Sequence, residues 1–360
     1  MKILLLSKYS RLGASSRMRS LQYLPYLKGH GADVTVEPLF DDDYLNRLYQ
    51  SGQRSIFSVA KYYFRRLVAL LGIFRYDLIL IEYEIFPYFP AFSERLLCFF
   101  GKAYVVDYDD AIFHNYDRSS SIFIRTLMRR KIDVVMRHAS CVVVGNEYLA
   151  TRARAAGAPR VEVVPTVVDI TRYSPCTLPP SSDLNIGWIG SPSTQGYVVG
   201  IKDALIRACK VHHVRLMLVG ATEQIREEFS ELDIDIVTWS EASEVRFIRQ
   251  MDIGIMPLPD DPWENGKCGY KLIQYMACGI PVIASPVGVN VGIVTDSQCG
   301  LLVGNLSEWE AALLQLLESP EQRAKLGSAG RSAVENIYSL QAQAPVLQQI
   351  YNNCIPQSGG

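Results

Sequence analysis

The 360-residue sequence lacks any long apolar run. No stretch approaches the roughly 18 residues a membrane-spanning helix needs. The richest, LVALLGIF at 67–74, is flanked by Arg65, Arg66 and Arg75. The opening MKILLLSKYS is apolar only from Ile3 to Leu6, and no small-residue cleavage site follows, so it does not read as a signal peptide. The eight cysteines contain no Cys-x-x-Cys pair and no metal-like spacing. A disulfide framework and a bound metal are therefore not expected, and reduced thiols in a cytoplasmic compartment are. No internal repeat stands out, and a net charge of −1 gives no reason to expect a nucleic-acid partner.

What is present fits two soluble domains. Hydrophobic residues make up 49% and charged residues 20%, an ordinary globular profile, and 360 residues exceed one ordinary core. The near-zero charge hides an asymmetry. Residues 1–165 hold 23 Lys and Arg against 16 Asp and Glu, whereas the remainder holds 13 against 21. The basic residues stand among aromatics and aliphatics in KYYFRRLVALLGIFR (61–75) and IRTLMRRKIDVVMR (124–137). Two readings fit these stretches: contact with an anionic membrane face, or core-facing helices with a solvated basic side.

Short apolar runs alternate with helical stretches. KILLLSK (2–8), ADVTVEPL (32–39), DLILIE (77–82), AYVVDYD (103–109), CVVVGN (141–146) and VEVVPTVVD (161–169) read as buried strands. SPCTLPPSSD (174–183) reads as a linker, after which the pattern restarts at LNIGWIGSP (184–192). Later strands are expected at 214–220, 234–239, 252–258, 280–285 and 300–304, with a helix broken near Pro320. This argues an α/β chain of two doubly wound, Rossmann-like domains facing a cleft. The expected division is 1–173, a linker at 174–183, 184–338, and a C-terminal helix in 339–360 that crosses back to the first domain.

One stretch carries a recognisable chemistry. In WENGKCGYKLIQYMACGIPVIAS (263–285) a glycine-bearing loop leads into a helix and then a buried strand. Gly269 permits close backbone approach where the helix should begin. The N–H groups and positive dipole end of a helix start suit a diphosphate. Lys267 and Lys271 add charge and share one side if the helix begins that early.

The segment DIGIMPLPDDPWENGKCGYKLIQYMACGIPVIASPVG (252–288) resembles the donor-binding segment of retaining glycosyltransferases of the GT-B fold, family GT4 (glycosyl transferases group 1). NIGWIGSPST and DYDDAIFHNYD carry a weaker likeness. The resemblance implies transfer of a sugar from a UDP- or GDP-type nucleotide sugar to an acceptor hydroxyl, without a cofactor or bound metal. It implies a glycan or lipid-linked acceptor in cell-surface polysaccharide or glycolipid synthesis, with peripheral contact on the inner face of the membrane.

The chain departs from the family's Glu-x7-Glu pattern. Matching IQYMA to the family's LEAMA puts the second Glu, which usually holds the ribose, at Gln274. The first, which usually contacts the donor sugar, falls on Gly266. Glu264 is the candidate substitute. The family's Arg and Lys after the first strand of the second domain are replaced by Gly190, Ser191, Ser193 and Thr194, which offer hydroxyls and N–H groups to a phosphate or simply form a turn. The resemblance puts Gly269 and Tyr270 beside the diphosphate with Lys267 and Lys271. It puts Trp239 beside the base, where stacking and a rim position are both open.

In the first domain the loop holding Gly13, Ser15, Ser16 and Arg17 is expected to meet the acceptor; the alternative is a helix cap by Ser15 or Ser16 with Arg17 exposed. His114 resembles the family's histidine near the reacting sugar, and Asp109 is a further acceptor candidate. Three rivals stay open: a metal-dependent GT-A-like transferase using Asp107 and Asp109, a nucleotide-sugar 2-epimerase, and a binding protein without catalysis.

Overall fold

A computed structural model describes residues 1–51, 56–175, 184–212 and 214–355. Most of the linker expected at 174–183 lies outside the described residues. The chain divides into two compact units. Unit 1 comprises Met1–Thr166, Gly266–Cys268 and Gln343–Gly360, and unit 2 comprises Val167–Asn265 and Gly269–Ala342.

Unit 1 is built on strands β1 (Lys2–Leu6), β2 (Asp33–Val36), β3 (Leu78–Glu82), β4 (Tyr104–Tyr108), β5 (Cys141–Val144) and β6 (Val161–Val163). They form one parallel sheet in the order β2-β1-β3-β4-β5-β6. Every residue of β3 and β5 is buried, as continuous apolar strands covered on both faces must be. The strand expected at 161–169 ends at Val163. Pro165 has no N–H to give the ladder, and Val168 instead bridges Ser339 within unit 2. The order reverses between β1 and β3, so the loops after these two strands flank the crevice where ligands of doubly wound sheets bind.

Unit 2 repeats the plan with β7 (Asn185–Ile189), β8 (Arg215–Val219), β9 (Ile234–Val237), β10 (Ile253–Met256), β11 (Val282–Ala284) and β12 (Gly300–Leu302). The parallel order is β12-β11-β10-β7-β8-β9, reversing between β7 and β10. Alternate side chains feed two cores. Ile186, Trp188, Leu216 and Leu218 pack with Leu205, Phe229 and Leu313 on one face, while Met217 and Val219 pack with Met251 and Tyr275 on the other. The helical stretch after 304 divides as expected. Pro320 opens a new helix, Pro320–Asn336, whose N-cap Ser319 accepts from the N–H of Gln322. Both sheets with their flanking helices thus have the doubly wound plan.

Candidate active site

In unit 2 the candidates gather around the reversal between β7 and β10. The helix Tyr270–Ala277 starts at Gly269, which sits in the left-handed region at φ 66°. An L side chain is strained there, and a Cβ would stand 2.4 Å from Ile293 Cδ1. Gly269 is itself the N-cap and has no side chain to cap the first turn. The Lys271 ammonium lies 4.7 Å from the centre of the buried Trp188 ring, the last aromatic of β7. Lys271 therefore stands between the helix start and the end of β7.

The turn after β7 is self-contained. Ser191 and Thr194 form a capping box around the 3-10 turn Pro192–Thr194, and Ser191 Oγ lies 2.9 Å from Ser193 Oγ. The amide of Gly190 donates to the carbonyl of Val219 at 2.9 Å. Glu264, buried on the short helix Pro262–Asn265, accepts from the Tyr197 hydroxyl just beyond this turn. The candidate sugar-binding carboxylate is thus tied to the segment following β7.

Gln274 is buried within a network that sequence reasoning missed. Its Nε2 donates to Tyr173 Oη at 2.9 Å and lies 3.4 Å from Glu244 Oε2. Tyr173 donates to Glu244 Oε1 at 2.7 Å, and Trp239 Nε1 donates to Glu244 Oε2 at 3.0 Å. One buried carboxylate therefore holds both Trp239 and Gln274, the candidates for base and ribose. Burial, then the neighbouring Tyr270 and Glu244, pushes the Tyr173 hydroxyl well above the ordinary tyrosine range, so it stays a donor. Tyr270 Oη lies 3.3 Å from Tyr173 Oη, which joins the helix start to this network.

Three loop residues, Gly266–Cys268, belong to unit 1. Asn146 Nδ2 donates to the carbonyls of Gly266 and Lys267 at 3.0 and 2.9 Å, and Cys268 Sγ donates to the Asp109 carbonyl at 3.0 Å. A Cβ on Gly266 would lie 2.5 Å from Ala111 Cβ. The absent glutamate therefore has a steric cause: no side chain fits. Lys267 precedes the helix, which corrects the expectation that it shares a helical side with Lys271. Its Nζ pairs with Asp110 Oδ1 at 3.1 Å. Burial, opposed by Lys267 and reinforced by the Asp109 charge, raises the Asp110 carboxyl to about 6.

The acceptor candidates of unit 1 lie at its own reversal point. Gly13 is the N-cap of the helix Ala14–Arg19, so neither Ser15 nor Ser16 caps it. A Cβ at Gly13 would stand 2.3 Å from Tyr9 Cβ, so close approach accounts for this glycine. The buried Ser16 Oγ donates to Glu82 Oε2 at 2.6 Å and accepts from the Tyr9 amide. Ser15 Oγ lies 3.0 Å from the Tyr83 hydroxyl, which donates its one proton to Asp109. Arg17 is buried, not exposed, and donates to the carbonyl of Arg11 at 3.0 Å, bracing its own loop. Glu82, at the end of β3, was also missed. Its Oε1 is buried without a hydrogen-bond partner, and burial raises its carboxyl to about 7. Lys8 lies close by, its Nζ 5.1 Å from the centre of the Tyr83 ring.

His114 is engaged at both ring nitrogens. Nδ1 lies 2.8 Å from Asp117 Oδ1 and Nε2 lies 2.9 Å from Tyr148 Oη. In this arrangement both nitrogens face protein groups. Asp107 is half-buried with both oxygens on the Arg19 guanidinium, at 2.9 and 2.6 Å. The carboxylate pair of a metal-dependent transferase is therefore not presented: Asp107 holds Arg19, and Asp109 holds Tyr83.

Comparison with known proteins adds to this geometry. Residues 184–319 match the family model described as glycosyl transferases group 1. A capsular polysaccharide biosynthesis glycosyltransferase, CapM of Staphylococcus aureus, is 24% identical over 185 residues, 49% of this chain and 47% of that protein. Across the curated relatives, the matched stretches span less than half of each relative's length. Among solved structures, sucrose-phosphate synthase from Thermosynechococcus elongatus superposes with a TM-score of 0.73 at 17% identity, covering 98% of each chain. The Anabaena protein HepE, solved with UDP-glucose, gives 0.71 at 17% identity over 98% of this chain and 100% of its own. The chain therefore has the two-sheet fold of GT-B glycosyltransferase structures, and its residues 184–319 carry the signature of the glycosyl transferases group 1.

Proposed function

We propose that this chain is a retaining glycosyltransferase of the GT4 kind, moving a sugar from a UDP- or GDP-type nucleotide sugar to an acceptor hydroxyl. The observation that carries the reading is the helix start at Gly269 in the left-handed region, beside Lys271 at the reversal point of unit 2. Those N–H groups and that ammonium suit the charge that develops on a departing diphosphate. Trp239 would take the base, Gln274 the ribose and Glu264 the sugar, with the hydroxyls of the Gly190–Thr194 turn on phosphate. Unit 1 would bind the acceptor through the loop holding Gly13, Ser15, Ser16 and Arg17, and through Asp109. The likeness to a capsular polysaccharide transferase supports a glycan acceptor, and we take that acceptor to be lipid-linked at the inner membrane face.

The transfer balances without an enzyme nucleophile. The bond from the anomeric carbon to the diphosphate oxygen breaks, and its electron pair stays on that oxygen. The acceptor oxygen bonds to the same face of the carbon, and the acceptor proton passes to the leaving phosphate. Lys271 and the helix start supply the charge stabilisation, so no metal is required; activity persisting in EDTA would support this, and rescue by manganese would oppose it. His114, held by Asp117 and Tyr148, would orient the loop after β4 rather than touch the sugar.

Gly266 favours one other reading, a nucleotide-sugar-binding protein without turnover. A thermal-shift screen of nucleoside diphosphates with wild type, Lys271→Ala and Gln274→Ala tests the donor site. Stabilisation by one nucleotide, weakened about tenfold or more in both variants, is expected. No stabilisation by any nucleotide overturns the reading. Stabilisation without sugar transfer to any lipid-linked acceptor favours the binding protein.

A further inference from the structure

The helix Ile56–Leu71 carries large apolar side chains on its solvent-facing side as well as on its packed side. One face is anchored. Tyr62 and Arg66 are buried, Arg66 donating to the carbonyls of Ser7 and Glu37 at 2.6 and 3.0 Å, and Tyr63 donates to the Pro87 carbonyl. The opposite face carries Phe57, Phe64, Leu67, Val68 and Leu71, spaced by seven, three, one and three residues along one stripe. Phe57 is 90% exposed and Leu71 81%. Large apolar side chains presented to solvent as a continuous stripe mark a surface with a partner.

The apolar surface does not stop with the helix. Phe74 is exposed in the following turn, and its ring meets Phe100 edge-on at 5.7 Å. Phe100 in turn meets the exposed Phe99 at 5.4 Å. Charge then decides what covers it. No acidic residue occurs from 56 to 76, while Lys61 and Arg65 flank the stripe and Arg75 closes it. Arg65 has one acidic neighbour, Asp41, at 3.8 Å. A second copy of this chain meeting the same face in a two-fold contact would bring these cations against each other. An anionic bilayer instead accepts the phenylalanines into its acyl boundary and pairs the cations with its headgroups.

We propose that the Ile56–Leu71 helix, with Phe74 and Phe99, lies flat on an anionic lipid surface. The proposal deepens the membrane-acceptor part of the proposed function and rests on it for its purpose, but not for its test. The purified full chain is sedimented with phosphatidylcholine vesicles and with vesicles containing phosphatidylglycerol. Binding to the anionic vesicles alone, reduced by salt, is expected. Phe64→Ser with Leu71→Ser should weaken binding about a hundredfold, and Lys61→Glu with Arg65→Glu about thirtyfold or more. All four positions are at the surface, so melting temperature and the nucleotide shift should be unchanged.

Wild type that stays in the supernatant overturns the proposal, as do variants that sediment like wild type. A wild-type dimer that both pairs of substitutions dissociate, without vesicle binding, overturns it in favour of a second copy. Vesicle binding without any nucleotide shift leaves this surface standing and sinks the donor site alone. A nucleotide shift without vesicle binding does the reverse.

Discussion

The two units share a topology and part company at the carboxyl ends of their strands. Around the unit 2 reversal the groups are few and matched: an αL glycine, one lysine over an indole, and serine and threonine hydroxyls. Around the unit 1 reversal Lys8, Glu82, Asp109 and Asp110 crowd together. Two buried glutamates express the contrast. Glu244 in unit 2 accepts from Tyr173 on one oxygen and Trp239 on the other. Glu82 in unit 1 has one oxygen bonded to Ser16 and the Lys8 amide and the other bonded to nothing. A parallel sheet provides a crevice; the residues that end its strands decide whether that crevice suits an anion or holds protons. Exposure divides the same way. Among the described residues the exposed large aromatics all lie in unit 1, whereas in unit 2 only aliphatics such as Val211 and Ile337 are exposed.

The largest expected effect tests the departure at Gly266. Gly266→Glu restores the family's pattern but drives a Cβ to within 2.5 Å of Ala111 Cβ. Overpacking should cost about 3 kcal/mol or more in urea denaturation, and adding Ala111→Gly should return part of it. Unchanged stability would mean that the glycine is there for some reason other than space.

The next effect is a pH dependence with a definite sign. The folded Glu82 carboxyl sits at about 7, above its ordinary 4.5. Between those values the folded state holds a proton that the unfolded state releases. The contribution of Glu82 is thus full below about pH 4.5 and falls as pH rises towards 7, by up to about 3 kcal/mol. Glu82→Gln keeps an acceptor for Ser16 and the Lys8 amide and removes the ionisation. Its melting temperature should exceed that of wild type at pH 8 and match it at pH 5. Parallel curves across that range would mean that Glu82 is not held protonated.

Much of this was legible in the sequence. Most strands follow short apolar runs, and the helix start at Gly269 follows from a glycine before an amphipathic stretch. The overreach at 161–169 came from weighing valines above Pro165, whose missing N–H ends the ladder. What stayed hidden was pairing at a distance. Tyr173 and Gln274 are 101 residues apart and Ser16 and Glu82 are 66 apart, so no local pattern joins them. Arg17 read as a loop cation, for the acceptor or for solvent, because no composition rule shows that its guanidinium folds back on the Arg11 carbonyl. Charge at the end of a buried strand, as in the IE of β3, was the available signal for Glu82.

Glu244→Gln is the smallest of the three effects and the counterpart of Glu82→Gln. The carboxylate accepts on both oxygens, whereas an amide offers one acceptor and one donor. If the amide oxygen keeps Tyr173, its NH2 faces the Trp239 N–H; if it keeps Trp239, it faces the Tyr173 hydroxyl. In the first case the part-buried Trp239 N–H loses its carboxylate acceptor, at about 1–2 kcal/mol; in the second the Tyr173 hydroxyl can accept from the amide and turn its proton to Tyr270 Oη. The same group positions Trp239 and Gln274, so the nucleotide shift should weaken more than global stability does. Trp239 fluorescence separates these effects: its response to the bound nucleoside diphosphate should change in Glu244→Gln and return with Glu244→Asp only where the shorter carboxylate still reaches Nε1. An equal loss of stability with nucleotide affinity intact would assign Glu244 to the core alone. Glu82 and Glu244 would then differ in hydrogen bonding but not in their service to a ligand.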